Sequence, residues 1–113
     1  MEANKLIGEL LQSRDIMHLN HWKTTNLGEH KATEEYYTNM GELVDSMVEK
    51  YFGRTKRIII EVPSAKAEPS VECMLRIRRA LESSRDQFPS DIQNIMDEMI
   101  GLVNETLYLL TLK

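Results

Sequence analysis

A sustained apolar stripe between Asn26 and Phe52 constrains this chain more than any other feature. Thr33, Tyr36, Tyr37, Met40, Val44, Met47, Val48 and Tyr51 recur at i, i+3, i+4 and i+7, the period of one helix face. A helix of that length, about seven turns, buries its stripe only against other helices or a sheet of comparable span. Its ends are marked. Asn26 followed three residues later by Glu29 has the form of a capping box, and Gly53 stands where a C-terminal glycine would close the helix.

Three further segments carry the same period. The first runs from about Asn4 to Trp22, with Leu6, Leu10, Met17 and His21 on one side and Ile7, Leu11, His18 and Trp22 beside them. Trp22 is expected to anchor the end of this helix against the core. A third helix is predicted over 70–87, with Val71, Met74, Leu75, Ile77 and Leu81 inward. The fourth begins at Pro89-Ser90, where Ser90 and Gln93 match a capping box, and Ile92, Ile95, Met96, Met99, Val103, Leu107 and Leu110 line one face. Only Phe88 and Pro89 separate the last two helices, so they pack antiparallel.

Residues 53–69 break the pattern, punctuated by Gly53, Pro63 and Pro69. Ile58 to Val62 is β-branched, yet a lone strand has no partner here, so a tucked loop is expected. The expectation is an all-α, up-and-down four-helix bundle, one domain over residues 1–113, with a longer loop between the second and third helices. Met40, Met47, Met74, Met96 and Met99 fall on the inner stripes and read as core fillers. Cys73, the only cysteine, reads as a small buried residue and excludes an internal disulfide, a multi-cysteine zinc site and an iron–sulfur cluster.

The formal charge of −4, from 14 basic and 18 acidic residues, gives no general pull toward nucleic acid or an anionic membrane. No apolar run reaches the ~18–20 residues of a membrane span, and the N-terminus has no basic region before an apolar stretch, so a cytoplasmic setting is expected. Arg76, Arg78 and Arg79, with Arg54, Lys56 and Arg57 before them, read as a solvated face offset by Glu72, Glu82 and Asp86; a small anion site is the alternative. Tyr36, Tyr37, Tyr51 and Phe52 crowd the second helix beyond what its inner stripe holds. That surplus predicts a homo-oligomer, a dimer or larger, joined through this helix, and would equally serve a protein partner.

The chemistry-bearing residues are concentrated. All three histidines, His18, His21 and His30, straddle the junction of the first two helices. On the second helix His30, Glu34, Asp45 and Glu49 fall in one arc roughly 100° wide, beside the apolar stripe. Imidazole with carboxylate at a bundle margin is the donor mix of non-haem iron, manganese or zinc. Capping histidines and ordinary solvated rim carboxylates would give the same spacing.

The stretch His21 to Gly53 resembles the core of the Dps-like mini-ferritins. In that family a His-Trp pair closes the first helix and a second histidine opens the next. A carboxylate follows four residues on, then an aspartate eleven further and a glutamate four after that. Here His21-Trp22, His30, Glu34, Asp45 and Glu49 stand in that order. The two histidines are nine residues apart here, against about twelve in the family. The resemblance implies a ferritin-like fold and a di-iron ferroxidase-type site. One subunit would supply the histidines and a second the Asp and Glu. The chain is also similar to a group of short tailed-phage proteins without an assigned activity. They share a pattern of His-x-x-His-(Trp/Leu)-x-Thr, then His-Lys-Ala-x-x-Glu-(Tyr/Phe)-Tyr, then Asp-x-x-x-Glu and a glycine, which reads HLNHWKTTNLGEHKATEEYY, DSMVE and Gly53 here and adds His18 to the candidates. On these resemblances the expected metal ligands are His18, His21, His30, Glu34, Asp45 and Glu49, with iron as the metal and zinc or manganese as substitutes. The alternative is a non-enzymatic phage accessory protein on the same scaffold, binding a host protein or a small anion in the host cytoplasm.

Overall fold

The computed structural model describes all 113 residues. Four α-helices and no strand make up the chain: α1 (Ala3–Lys23), α2 (Leu27–Arg54), α3 (Ser70–Ser84) and α4 (Ser90–Leu109), with a 3-10 turn over Arg85–Gln87. No helix is long and apolar enough to cross a membrane. Each helix packs on two neighbours: α1 on α2 and α3, and α4 on α2 and α3. The diagonal pairs are therefore α1 with α4 and α2 with α3.

The direction of α3 departs from the up-and-down expectation. Asn20, near the end of α1, donates to the Glu68 carbonyl at 2.8 Å and to the Ser70 hydroxyl at 3.0 Å, and Ser70 donates to the Glu29 carboxylate at 2.7 Å. The start of α3 thus lies at the end of the bundle where α2 also starts. At the other end Arg54 pairs with Asp91 at 3.3 Å, and Tyr51 meets Phe88 edge-on at 6.1 Å. Helices α2 and α3 run parallel, and residues 55–69 travel the whole length of the bundle between them. This strap climbs along α1, with Glu61 against Gly8, the Ser64 carbonyl accepting from Gln12 at 2.8 Å, and Glu68 beside Asn20. Loop length alone permits either direction, so the sequence leaves it open. As expected, Ile58 to Val62 forms no strand; Ile60 and Ala65 lean on the core while Ile59 faces water.

The core is one cluster drawn from all four helices. Tyr36, Met17, Met40, Met47, Met74, Met96 and Met99 are fully buried in it, as is Cys73. The face of α3 is rotated from the predicted one. Ser70, Cys73, Met74, Ile77, Ala80, Leu81 and Ser84 are inward, whereas Val71 and Leu75 are exposed. Small residues such as Cys73 and Ala80 share that inward face with Met74, Ile77 and Leu81. Trp22 is also corrected: its side chain is 67% exposed and anchors nothing in the core.

The helix ends differ in detail from the expected caps. Asn26 Oδ1 accepts from the Glu29 N–H at 2.9 Å, but the Glu29 carboxylate is taken by Ser70, so only half of the box forms. Gly53 lies inside α2 with negative φ; the helix ends one residue later, and Thr55 closes it with its N–H and hydroxyl on the Tyr51 carbonyl. Helix α3 tightens into the 3-10 turn after Ser84. Ser90 makes no side-chain cap, and Gln93 reaches back to the Arg85 carbonyl at 3.1 Å instead. Three of the arginines read as a solvated face are tied down: Arg76 to Glu68 at 2.9 Å, Arg78 to Asn104 at 2.8 Å and Arg54 to Asp91.

Burial gives the fold a pH limit. Desolvation pushes the Cys73 thiol up to about 12 and raises the Tyr36 phenol far above its usual range, partly offset by its bond to Ser13. Both groups ionise more easily in the unfolded chain. Their contribution is complete below the ordinary thiol value and is lost as pH rises toward 12, by up to about 1.4 kcal/mol per pH unit for Cys73 alone. Urea midpoints should hold through pH 8 and fall from pH 9 upward. Cys73→Ala should flatten the first part of that fall; an unchanged fall in this variant would refute the assignment.

Candidate functional site

The histidine end of the bundle is built by the short turn between α1 and α2. Thr24 to Asn26 reverse the chain, which brings the last turn of α1 against the first of α2. His21 and His30 then stack at 3.7 Å between ring centroids, 18° from parallel. Each ring is fixed by the other residue's backbone. His21 Nδ1 lies 2.6 Å from the His30 carbonyl, and His30 Nδ1 lies 2.9 Å from the His21 carbonyl. A carbonyl only accepts, so each Nδ1 carries a proton, and in a neutral ring the lone pair is on Nε2. Thr33 supports the pair: its hydroxyl donates to the Glu29 carbonyl at 2.7 Å and lies 3.3 Å from His21 Nδ1. Neither Nε2 has a hydrogen-bond partner within the chain.

His18 lies one turn below Trp22, half-buried, with its ring between two aromatic faces. Tyr37 stacks on it at 4.0 Å and 15°, and Trp22 lies tilted against it at 4.1 Å and 38°. His18 and His21 are further apart, 6.1 Å and edge-on.

The carboxylates stand on the same outward stripe of α2 as His30. Glu34, Asp45 and Glu49 are all exposed. Asp45 is fifteen residues beyond His30, which is about 22 Å along a helix at 1.5 Å per residue. Within one copy the stripe is thus split into an imidazole end, with Glu34, and a carboxylate end. No three of the chain's His, Cys, Asp and Glu side chains converge in the geometry of a metal site within one copy.

Two features escape the sequence pattern. Arg14 reaches across the α1–α2 groove and donates from Nε to the Tyr37 carbonyl at 3.2 Å. It lies flat over Gly41, where a Cβ would stand 3.0 Å from Nε. The clue available was a glycine, otherwise unexplained, in the middle of α2. The second feature is Glu35, whose carboxyl is raised above the usual range by a hydrogen bond to Glu105 across the α2–α4 seam, then by desolvation and charge repulsion.

Comparison with known proteins adds lineage. Over 116 aligned residues the chain is 26% identical to an uncharacterized 14.6 kDa protein from the mobD-ri intergenic region of Enterobacteria phage T4, covering 99% of this chain and 90% of that one. That agrees with the resemblance to short tailed-phage proteins. No solved structure matches the chain. The model of a family of unknown function (DUF5856) matches residues 21–110, a span that begins at His21 and takes in α2, the strap, α3 and α4, and the chain belongs to that family.

Proposed function

We propose that this protein binds a transition-metal ion, iron first and zinc or manganese as substitutes, at a site completed by a second copy on a ferritin-like bundle. The observation that carries this reading is the split stripe of α2. His30 and Glu34 occupy one end, Asp45 and Glu49 the other, all on one outward face. A two-fold mate with its α2 antiparallel would set its Asp45 and Glu49 opposite His30 and Glu34. Two supports accompany it. A four-helix bundle with one long crossover is the connectivity of ferritin-like folds. A histidine whose Nδ1–H is held by a backbone carbonyl, as in His30, is oriented as metal-binding histidines commonly are. His18 and His21 would serve as secondary ligands. Bound there, iron would supply oxidation chemistry of the ferroxidase class, with Fe(II) as the substrate; the chain's own residues hold and orient it.

The test is an anaerobic Fe(II) titration of chelator-stripped protein, with sedimentation to read the oligomer. Saturable binding is expected, lost in His30→Ala and in Asp45→Ala. An equal mixture of the two variants should regain about a quarter of the sites, because only mixed dimers hold an intact one. Unchanged binding in both variants would refute the site.

A second reading is favoured by a different observation. Leu19, Trp22 and Leu27 are all exposed near the α1–α2 turn, at 48%, 67% and 63%. An apolar corner of this kind suits a non-enzymatic accessory protein that docks a host protein in the host cytoplasm. A flat metal titration would leave this as the working function.

A further inference from the structure

Arg14 is half-buried and held in place without a counter-ion, by its Nε alone, whereas Arg78, the other such arginine, spends a terminal nitrogen on Asn104. The three ion pairs of the chain occupy Arg54, Arg76 and Arg85, and no carboxylate lies within 4.0 Å of Arg14 in a protein of net charge −4. Its Nε is spent on the Tyr37 carbonyl and its plane is seated on Gly41. Both Nη groups are left without a partner in the chain. A guanidinium fixed in this way presents a ready fork of N–H donors to an oxyanion, and little rotamer entropy remains to be lost on binding.

The surroundings narrow the oxyanion. One turn along the same face of α1 lies His18, stacked on Tyr37, and one turn beyond it Trp22, tilted 38° against His18. The outer face of Trp22 is open to water. Arg14 and Trp22 are about 12 Å apart along the helix axis. A fixed guanidinium at one end of an aromatic ladder, with a free indole face at the other, is the combination that holds a phosphate together with a stacked base.

We propose that the groove between α1 and α2 binds a nucleoside phosphate, its phosphate on the Arg14 fork and its base on the outer face of Trp22. This site shares His18 with the metal reading but does not rest on it, and it needs no second copy. The elements that position it are specific: Gly41 provides the seat, because any larger side chain would displace the guanidinium, and Tyr37 provides both the carbonyl that locks Nε and the ring that backs His18.

Trp22 is the only tryptophan, so its fluorescence reports the site directly. The experiment titrates the full chain, in EDTA to keep metals out, with ADP, adenosine and inorganic phosphate, with calorimetry beside the fluorescence. ADP should change Trp22 emission saturably, and inorganic phosphate should compete. Arg14→Gln should weaken ADP at least tenfold while leaving the far-UV circular dichroism unchanged. Arg14→Lys, which keeps the charge and loses the fork, should fall between. Three outcomes would overturn the proposal: no saturable response to ADP, a response to adenosine equal to that of ADP and indifferent to Arg14→Gln, or an Arg14-dependent self-association in place of ligand binding. The last would make the fork a contact for a second copy's carboxylate.

Discussion

Tyr36→Ala should destabilise the protein by about 3–5 kcal/mol, the range for truncating a fully buried aromatic. Tyr36 sits at the centre of α2, wholly enclosed by the core. Its hydroxyl is 2.7 Å from the Ser13 hydroxyl, and Ser13 in turn donates to the Leu10 carbonyl at 2.6 Å. With Ser13 committed as donor to Leu10, Tyr36 donates to Ser13. The chain Tyr36–Ser13–Leu10 is therefore a closed polar relay inside an apolar cluster, joining α2 to α1. Tyr36→Phe separates the two contributions. It keeps the ring and removes one hydrogen bond whose other partner stays satisfied by Leu10, so its cost should be only about 1 kcal/mol. Urea denaturation of both variants checks the pair. Equal losses would mean that the hydroxyl, and not the ring volume, carries the effect.

Gly8→Ala should cost about 2–3 kcal/mol even though alanine is the better helix former by about 1 kcal/mol. A Cβ at Gly8 would collide with the Glu61 carbonyl of the strap, with Pro63 close behind. That carbonyl is backbone, and the strap is anchored just beyond it by Gln12 on Ser64 and by Asn20 on Glu68. Relief requires lifting the strap off α1. Gly28 is the internal control. A Cβ there would meet the Leu112 carbonyl, but Thr111 and Leu112 are exposed and held only by local turn bonds to Tyr108 and Leu109. Gly28→Ala should therefore be within about 1 kcal/mol of neutral, since an exposed turn held only locally moves at little cost. Thermal melts of the two variants decide the matter; a Gly8→Ala protein as stable as Gly28→Ala would show that the strap is loosely held.

Much of this was readable from residues alone. The four helices follow from apolar periodicity, which survives because each buried face must face the core once per turn, and α2 is the clearest case. The direction of α3 was not readable, because nothing in residues 55–69 encodes how far an extended segment travels. The inward face of α3 was misjudged because Val71 and Leu75 are apolar but exposed, while Cys73 and Ala80, small and easily overlooked, line the core. The same limit applies to the candidate site. Histidine and carboxylate spacing drew attention to His18, His21, His30, Glu34, Asp45 and Glu49. The partners that fix His21 and His30 are backbone carbonyls, which every residue possesses and no motif marks. Arg14 was invisible for the same reason, since its partners are a carbonyl and the bare face of a glycine.

The long crossover also bears on how the chain assembles. The α1–α2 and α3–α4 pairs are each closed by a turn of a few residues, so their contacts are between near neighbours in sequence and form quickly. The strap that joins the two hairpins adds only a slowly growing closure entropy, whatever its path. The molecule is thus two hairpins that share one core, tethered by a segment that supplies little of it. A nick within that tether would leave both hairpins able to find each other as separate fragments, whereas a nick inside α2 would divide the core itself.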